Sequence, residues 1–344
     1  FSVVIPCYNA ADTLPRCLQG LREQICTDFE LILVDNNSTD HTPDLLKQFA
    51  AEPHPFPVQT VHEPRQGIAA ARNAGIHLAT GDWVVCTDSD CIPDPNWLAE
   101  YTVELLRHPP QTAALAGRIG CAATETIWQT CAGLFTLPPV AEARTFHQLT
   151  LSDGGFPTAN LAVRREALLQ AGAFPEGHTD YGEDYALCAR LYAAGFSIHA
   201  FPGATVRHIH RRDPRAFRKQ AFNIGIAHAF ILKTLVPPQR MLDLPLCGKH
   251  TRPLRRIRCW IDLQQADKKT ALLLLLALCW PPLALLLPLY ALHLIRFVLR
   301  QSRKRGLPLS RRQAPAVAFA LLVKSAALTA GRIRGGLRYR VCCI

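Results

Sequence analysis

No two of the 13 cysteines in this chain stand as a Cys-x-x-Cys pair, so the spacing of a zinc ribbon or zinc finger is missing. They are odd in number and scattered over 344 residues, which argues against a disulfide framework and for a reducing cytosol. Cys342-Cys343-Ile344 lacks the spacing of a prenylation box. No helix-turn-helix or aromatic-basic recognition pattern is found, and no nucleic-acid partner is expected. No Gly-rich, Lys-containing loop follows the first strand-like run, where Pro6-Cys7-Tyr8-Asn9 stands instead; this argues against a nucleotidyltransferase. Residues 1–5 read as a core strand and not as a secretory signal, and with no initiator Met a few residues are taken to have been trimmed.

Hydrophobic residues make up 49% of the chain, too many for a disordered protein. The length accommodates one large α/β domain and an accessory region. The formal net charge is +11, and the basic excess is concentrated in the last 140 residues. That asymmetry predicts an anionic partner for the C-terminal part. Anionic lipid is the expected partner, because the basic runs flank apolar ones.

The N-terminal half alternates two patterns. Residues 1–5, 29–34, 58–62 and 83–86 are short β-branched or aromatic runs, and helical patterns cover about 12–24, 43–49 and 67–78. Strands spaced by helices indicate βαβ units and a parallel sheet, whose ligands bind beyond the carboxyl ends of the strands. Pro6 is expected to stop the first strand and Asp12 to cap the first helix. Three polar clusters fall at strand ends: Pro6-Cys7-Tyr8-Asn9, the run from Asp35 to Asp40, and Asp88-Ser89-Asp90. They are expected to converge on one crevice.

The side chains in these clusters carry specific chemistry. Asp88 and Asp90, one residue apart, can hold a divalent cation that in turn holds a diphosphate, because Mg²⁺ and Mn²⁺ take hard oxygen ligands. The same pair can also be a solvated turn before the helix at Asp94-Pro95-Asn96-Trp97. Asp35 can accept from a base N–H or a ribose hydroxyl, or cap its turn with Asn36. Arg65 and Arg72 can pair with phosphate, and Arg72 equally with a surface carboxylate. Residues 152–166 form a Gly-rich loop entering a strand. Glu183 and Asp184 open a helix, where the macrodipole favours ionised carboxylates; such a group facing a cleft can act as general base toward a hydroxyl. Helix capping is the alternative. His208 and His210 lie on one side of a short extended run, and a neutral imidazole suits Mn²⁺ as a third protein ligand.

Together the motifs resemble family-2 glycosyltransferases of the GT-A fold. The resemblance rests on Val4-Ile5-Pro6-Cys7-Tyr8-Asn9, Val34-Asp35-Asn36-Asn37-Ser38-Thr39-Asp40, Ala71-Arg72-Asn73-Ala74-Gly75 and Thr87-Asp88-Ser89-Asp90. It continues through Thr158-Ala159-Asn160-Leu161-Ala162-Val163-Arg164-Arg165, Gly182-Glu183-Asp184 and Val206-Arg207-His208. It covers about residues 1–225 and implies an α/β, Rossmann-like domain with a mostly parallel sheet flanked by helices. It also implies inverting transfer from a nucleoside-diphosphate sugar, a UDP-sugar by default. Pro6, Tyr8, Asp35, Arg72, Asp88 and Asn160 would then line the donor site. Asp90 and Asp88, completed by His208 or alternatively His210, would hold Mg²⁺ or Mn²⁺. Asp184 would be the base and Glu183 would shape the acceptor side. Glu183 and Asp184 are adjacent, so their side chains diverge and do not suit a glycosidase pair. Polymerising relatives carry a Gln-x-x-Arg-Trp helix after the Glu-Asp pair; Arg218-Lys219-Gln220-Ala221-Phe222 stands here instead, which favours single addition.

After a basic linker and helix region at 226–270, residues 271–344 read as membrane-associated helices. Residues 271–299 are apolar, long enough for a span of ~30 Å at ~1.5 Å per residue, and broken at Trp280-Pro281-Pro282. Arg252, Arg255, Arg256, Arg258, Lys268 and Lys269 precede this run, and Arg300, Arg303, Lys304, Arg305, Arg311 and Arg312 follow it. Both basic flanks prefer the cytoplasmic side, so a helix that dips in and returns is expected, each half being too short to span alone. Residues 314–330 read as an interfacial helix. Buried helices of an oligomer interface and a transmembrane hairpin are the alternatives. The expected protein is a metal-dependent transferase on the cytoplasmic face of a membrane, with a glycan or lipid-linked acceptor. A nucleotide-sugar sensor without turnover is the rival.

Overall fold

The computed structural model describes residues 1–138, 140–176, 182–244, 248–253 and 257–344, so Arg255 and Arg256 of the basic run lie outside the described residues. Two compact units emerge: Phe1–Ala122 with Pro138–Ile209, and Ala123–Leu137 with His210–Ile344.

The first unit begins with β1 (Ser2–Cys7), α1 (Leu14–Arg22), β2 (Glu30–Asp35), α2 (Thr42–Ala51), β3 (Val58–His62), α3 (Ile68–Leu78) and β4 (Trp83–Thr87). It continues through β5 (Cys91–Pro93), α4 (Trp97–Leu105), β6 (Thr112–Ala116) and β7 (Ile119–Cys121). The chain then enters the second unit with α5 (Ile127–Phe135) and returns with β8 (Arg144–Phe146), β9 (Asn160–Arg164), α6 (Arg165–Gln170), α7 (Glu183–Ala193), β10 (Ser197–Ala200) and β11 (Val206–His208).

Eight strands make the central sheet in the order β3-β2-β1-β4-β9-β6-β10-β8. The four strands of the alternating N-terminal half are parallel, as the βαβ pattern requires. The sheet is mixed beyond β4: β9 runs antiparallel to β4 and β6, β10 is parallel to β6, and β8 closes the edge antiparallel. Val4, Ile32, Val34, Val84 and Leu161 pack in the core with Ile76 of α3 and Leu187 of α7.

Two local expectations fail for physical reasons. Strand β1 runs through Pro6 to Cys7. Pairing with β4 ends at Val4↔Cys86, so the missing Pro6 N–H removes no bond due to β4, while pairing with β2 continues to Cys7↔Asp35. Asp12 does not cap α1: Thr13 holds the N-cap position without a side-chain bond, and the Ala10 carbonyl accepts from Thr13 N and Leu14 N at 3.0 and 2.9 Å.

A small sheet, β5-β11-β7, sits beside the main one. Its antiparallel register pairs His208 with Cys91, which sets β11 against the residue following Asp90.

The second unit adds α8 (Pro214–Thr234), β12 (Gln239–Leu244), β13 (Gly248–Pro253), β14 (Cys259–Asp262), α9 (Ala266–Cys279), α10 (Leu286–Arg305), α11 (Ala314–Tyr339) and β15 (Cys342–Cys343). Asp213 caps α8, its Oδ2 accepting from Ala216 N at 2.7 Å. The region expected to be a linker holds most of a four-stranded sheet, β13-β12-β14-β15. Helices α8 and α11 approach so closely that a Cβ at Gly225 would strike the Leu328 carbonyl and one at Gly331 the Phe222 carbonyl. Arg332 is buried on α11, 3.0 Å from Asp262 Oδ2 and over the Trp260 ring at 4.0 Å.

The apolar run breaks at Pro281-Pro282, where a 3₁₀ turn (Pro281–Leu285) separates α9 from α10. Its second half is longer than expected. Pro281–Arg305 and Ala314–Tyr339 are each long and apolar enough to cross a membrane, by length and composition alone. Only 11% of the first run's apolar window is buried, against 44% of the second's.

Candidate active site

The carboxyl ends of the parallel strands gather the predicted clusters. Asn9 closes the first cluster in a left-handed conformation (φ 46°). Its N–H donates to Ser38 Oγ at 3.1 Å and its Oδ1 accepts from Thr39 N at 2.8 Å, which joins the ends of β1 and β2. Pro6 lies in β1, and Tyr8 just beyond it is 53% exposed, so its ring is available to a planar ligand. Asp35 ends β2 almost buried: Oδ1 accepts from Ser38 N at 3.2 Å and Oδ2 lies 3.0 Å from His62 Nδ1. Arg65 is engaged by carboxylates, Glu63 at 3.0 Å and Glu176 at 2.7 Å.

Arg72 organises the centre. It lies on α3, is 1% exposed, and its two terminal nitrogens point at different motifs. Nη2 donates to Asp88 Oδ1 at 2.8 Å and Nη1 to Glu183 Oε1 at 2.8 Å. The Phe174 ring lies 5.4 Å from its guanidinium carbon. Burial works against the charge on Arg72, but Asp88 and then Glu183 outweigh it and hold the pKa above its ordinary value. Both Nη groups face carboxylates, so Arg72 is a clamp between the Asp-x-Asp and Glu-Asp motifs.

Helix α7 starts after Gly182, whose φ of 98° is strained for any residue with a Cβ. Glu183 and Asp184 fill its first turn. Asp184 is half-buried, and its Oδ1 accepts from Tyr185 N at 2.8 Å. Burial, reinforced by the Glu183 charge, pushes its carboxyl well above the usual carboxylate range; the Tyr185 N–H and Arg72 oppose this only in part.

On the other side of Asp88, Asp90 Oδ1 lies 3.4 Å from His208 Nε2, and the Asp90 carbonyl accepts from Ile209 N at 2.7 Å. Asp90, Cys91 and His208 place one ligand atom each within 4.8 Å of one another. Burial, then the charge of Asp90, holds the Cys91 thiol protonated, far above its ordinary value. Asp90 and His208 offer a carboxylate and an imidazole, donors that fit Mn²⁺ and, less closely, Mg²⁺. Between the two candidate histidines, His208 is the one beside Asp90; His210 opens the second unit, where its carbonyl accepts from Gln129 Nε2 at 3.2 Å.

Asn160 has a different job from the one expected. Its Oδ1 accepts from Trp97 Nε1 at 2.7 Å and Tyr101 OH at 2.8 Å, and its Nδ2 donates to the carbonyls of Arg118 at 2.9 Å and Ala204 at 2.5 Å. Two acceptances and two donations use the whole capacity of an amide. Asn160 is a buried bracket behind the site and has nothing left for a donor sugar. Phe174 and Tyr185, which support Arg72 and Asp184, carry no signal in the sequence. A separate cavity of about 350 Å³, lined by the Gly154-Gly155-Phe156-Pro157 loop and residues 140–144, contains none of Asp88, Asp90 or Asp184.

A mixed α/β sheet with acidic residues gathered at its strand ends is the arrangement of a GT-A-like fold. Residues 2–171 match the model of the family described as glycosyl transferase family 2. A PGL/p-HBAD biosynthesis glycosyltransferase of Mycobacterium bovis is 38% identical over 112 residues, 32% of this chain and 43% of the relative. The chain thus matches less than half the length of that relative. Among solved structures, S. aureus TarS 1–349 in complex with UDP-GlcNAc aligns over 99% of this chain and 92% of its own, with a TM-score of 0.51 and 17% identity. Mannosyltransferase PcManGT from Pyrobaculum calidifontis, in complex with GDP-Man and Mn²⁺, aligns over 94% and 85%, with a TM-score of 0.50 and 19% identity. At these identities the structural likeness establishes the fold.

Proposed function

We propose that this protein is a metal-dependent inverting glycosyltransferase that moves one sugar from a nucleoside-diphosphate sugar to an acceptor hydroxyl. The observation that carries the reading is the Arg72 clamp, which holds Asp88 and Glu183 each at 2.8 Å and so joins the donor-side and acceptor-side motifs. Tyr8, Pro6 and Asp35 line the nucleoside. Asp90, His208 and Asp88 would hold Mn²⁺ or Mg²⁺, which when bound neutralises charge on the departing diphosphate. Asp184 takes the acceptor proton on Oδ2 while the acceptor oxygen bonds to the anomeric carbon and the carbon–oxygen bond to the diphosphate breaks. One displacement inverts the configuration. A carboxylate with a raised pKa is a stronger base, which suits this step. Glu183 is held in place by its ion pair with Arg72.

UDP is the default nucleotide, with GDP the main alternative; the neighbours with bound UDP-GlcNAc and GDP-Man are compatible with either. The absence of a Gln-x-x-Arg-Trp helix supports single addition. The second unit supports membrane association: Leu275, Leu278, Trp280 and Leu285 are between 61 and 81% exposed on α9 and the turn after it. Lys268 and Lys269 stand at one end of this apolar stretch and Arg303, Lys304 and Arg305 at the other. Both ends favour anionic headgroups, so the stretch dips into the cytoplasmic leaflet and presents the enzyme to a lipid-linked or membrane-proximal acceptor.

The test is Asp184→Asn in the full chain. Donor binding is retained and transfer falls ~10²–10⁴-fold. Undiminished transfer removes Asp184 as the base, and donor binding without transfer in the wild type would favour a sensor.

A further inference from the structure

The first unit holds a second cluster with metal-ligand chemistry that shares no residue with the Asp88–Asp90 region. Glu104 lies in the last turn of α4, His108 follows one helical turn later, and His199 projects from β10. Glu104 Oε1 is 2.9 Å from His108 Nε2 and 3.4 Å from His199 Nε2. One ligand atom from each lies within 4.8 Å of the others. The imidazole rings of His108 and His199 are tilted by 40° with centroids 4.0 Å apart. We propose that Glu104, His108 and His199 form a binding site for a borderline transition cation of the Zn²⁺ class, stapling the end of α4 to the central sheet.

Three features support an ion at this point over a plain hydrogen-bonded cluster. His199 is 8% exposed and its Nε2 has no hydrogen-bond partner, although Glu104 Oε1 lies 3.4 Å away in a geometry that makes no hydrogen bond. Its other ring nitrogen, Nδ1, is 2.8 Å from Thr145 Oγ1. With Nδ1 protonated and donating to Thr145 Oγ1, Nε2 carries a lone pair 3.4 Å from Glu104 Oε1, and a cation held by both would offset the repulsion between them. Burial, then the neighbouring His108, lowers the His199 pKa, which favours the neutral ring. The remaining Glu104 oxygen, Oε2, accepts from Arg107 Nη1 at 3.1 Å. Thr145 and Arg107 thus stand where outer partners of ligating histidine and carboxylate groups normally stand, fixing tautomer and orientation. Two imidazoles and one carboxylate are a Zn²⁺-type donor set; Mg²⁺ prefers all-oxygen coordination. His108, the most exposed of the three, with 16% of its side chain accessible, leaves an entry path and room for a water as fourth ligand.

The test must separate this site from Asp90–Cys91–His208, so it is made in a full-length His208→Ala background. Purified protein is stripped with chelator, then titrated with Zn²⁺ alone by calorimetry and with Co²⁺ alone by visible absorption, without nucleotide. The expected results are one equivalent bound, a d–d absorption band, and a melting temperature raised by roughly 5 °C at about a hundredfold excess over Kd, with no response to Mg²⁺. Adding His199→Gln abolishes all three. If that variant does not fold, His108→Gln, at the more exposed position, must abolish them instead. No saturable binding, or the same stoichiometry and band after the histidine is replaced, overturns the proposal.

Discussion

Arg72 and Glu183, 111 residues apart in sequence, meet at 2.8 Å between Nη1 and Oε1, while the other terminal nitrogen of the same guanidinium holds Asp88. A planar fork can bridge two carboxylates that point from different elements; a lysine ammonium at the same depth reaches one at a time. Arg72→Lys therefore retains the charge and loses the bridge. The expected outcome is a fall in kcat/KM of ~10²-fold, from misplacing α7 relative to Asp88, together with a lower melting temperature. Arg72→Met leaves the half-buried Glu183 without its partner and is the more destabilising of the two. Chemical denaturation of both variants beside transfer kinetics checks the ordering.

Asp184 couples activity to stability through pH. Its folded-state pKa is raised, so between the ordinary aspartate value and the raised one the native state binds more protons than the unfolded state. Stability from this group is then lost as pH rises through that window. Asp184→Asn removes the loss: the variant melts higher than wild type at neutral pH, and the difference shrinks toward pH 4. The same shift gives wild-type transfer an acid limb above the usual carboxylate range. Melting curves across pH for both proteins read the first effect, and the kcat/KM profile reads the second.

Asn160→Ala leaves the buried Trp97 Nε1 and Tyr101 OH without an acceptor. Each unsatisfied buried donor costs about 1–3 kcal/mol. Denaturant titration is expected to show a loss on the order of 3 kcal/mol, while the donor KM at a temperature where the variant is folded changes less than twofold.

The membrane reading predicts that Leu275→Glu with Leu278→Glu leaves melting unchanged, because these side chains are 61% and 81% exposed. Cosedimentation with vesicles containing anionic lipid should fall at least tenfold, since inserting one leucine contributes about 1.5–3 kcal/mol. Unchanged binding would remove this face from the membrane.

The sequence was informative where local rules govern. Short apolar runs ending near Asn9, Asp35 and Asp88 mark strands that pair in parallel, because side-chain period and the strand-end rule are both local. The pairing of Asp90 with His208 is set by the register of β5 on β11, which no local pattern encodes, and it was reached through family resemblance. Asn160 was assigned to the donor because a sequence displays an amide but not Trp97, Tyr101, Arg118 and Ala204 consuming its four bonds. The sheet in the second unit went unread because β13, Gly248–Pro253, is exposed throughout and shows no alternation. The opposite edge strand β15, which pairs with β14, is two residues long and arrives only after α11. The length of α10 was underestimated because its apolar part ends well before its basic last turn, Arg303-Lys304-Arg305, which is helical all the same.

The most direct test of the shared site is donor affinity measured calorimetrically with and without Mn²⁺, in wild type, Asp90→Asn and His208→Ala. If the strand-end carboxylates and His208 hold one cation-bound diphosphate, Mn²⁺ tightens wild-type binding of UDP- or GDP-sugar at least tenfold and both variants lose that gain. Equal affinity with and without the ion in wild type, or a full Mn²⁺ gain in both variants, contradicts it.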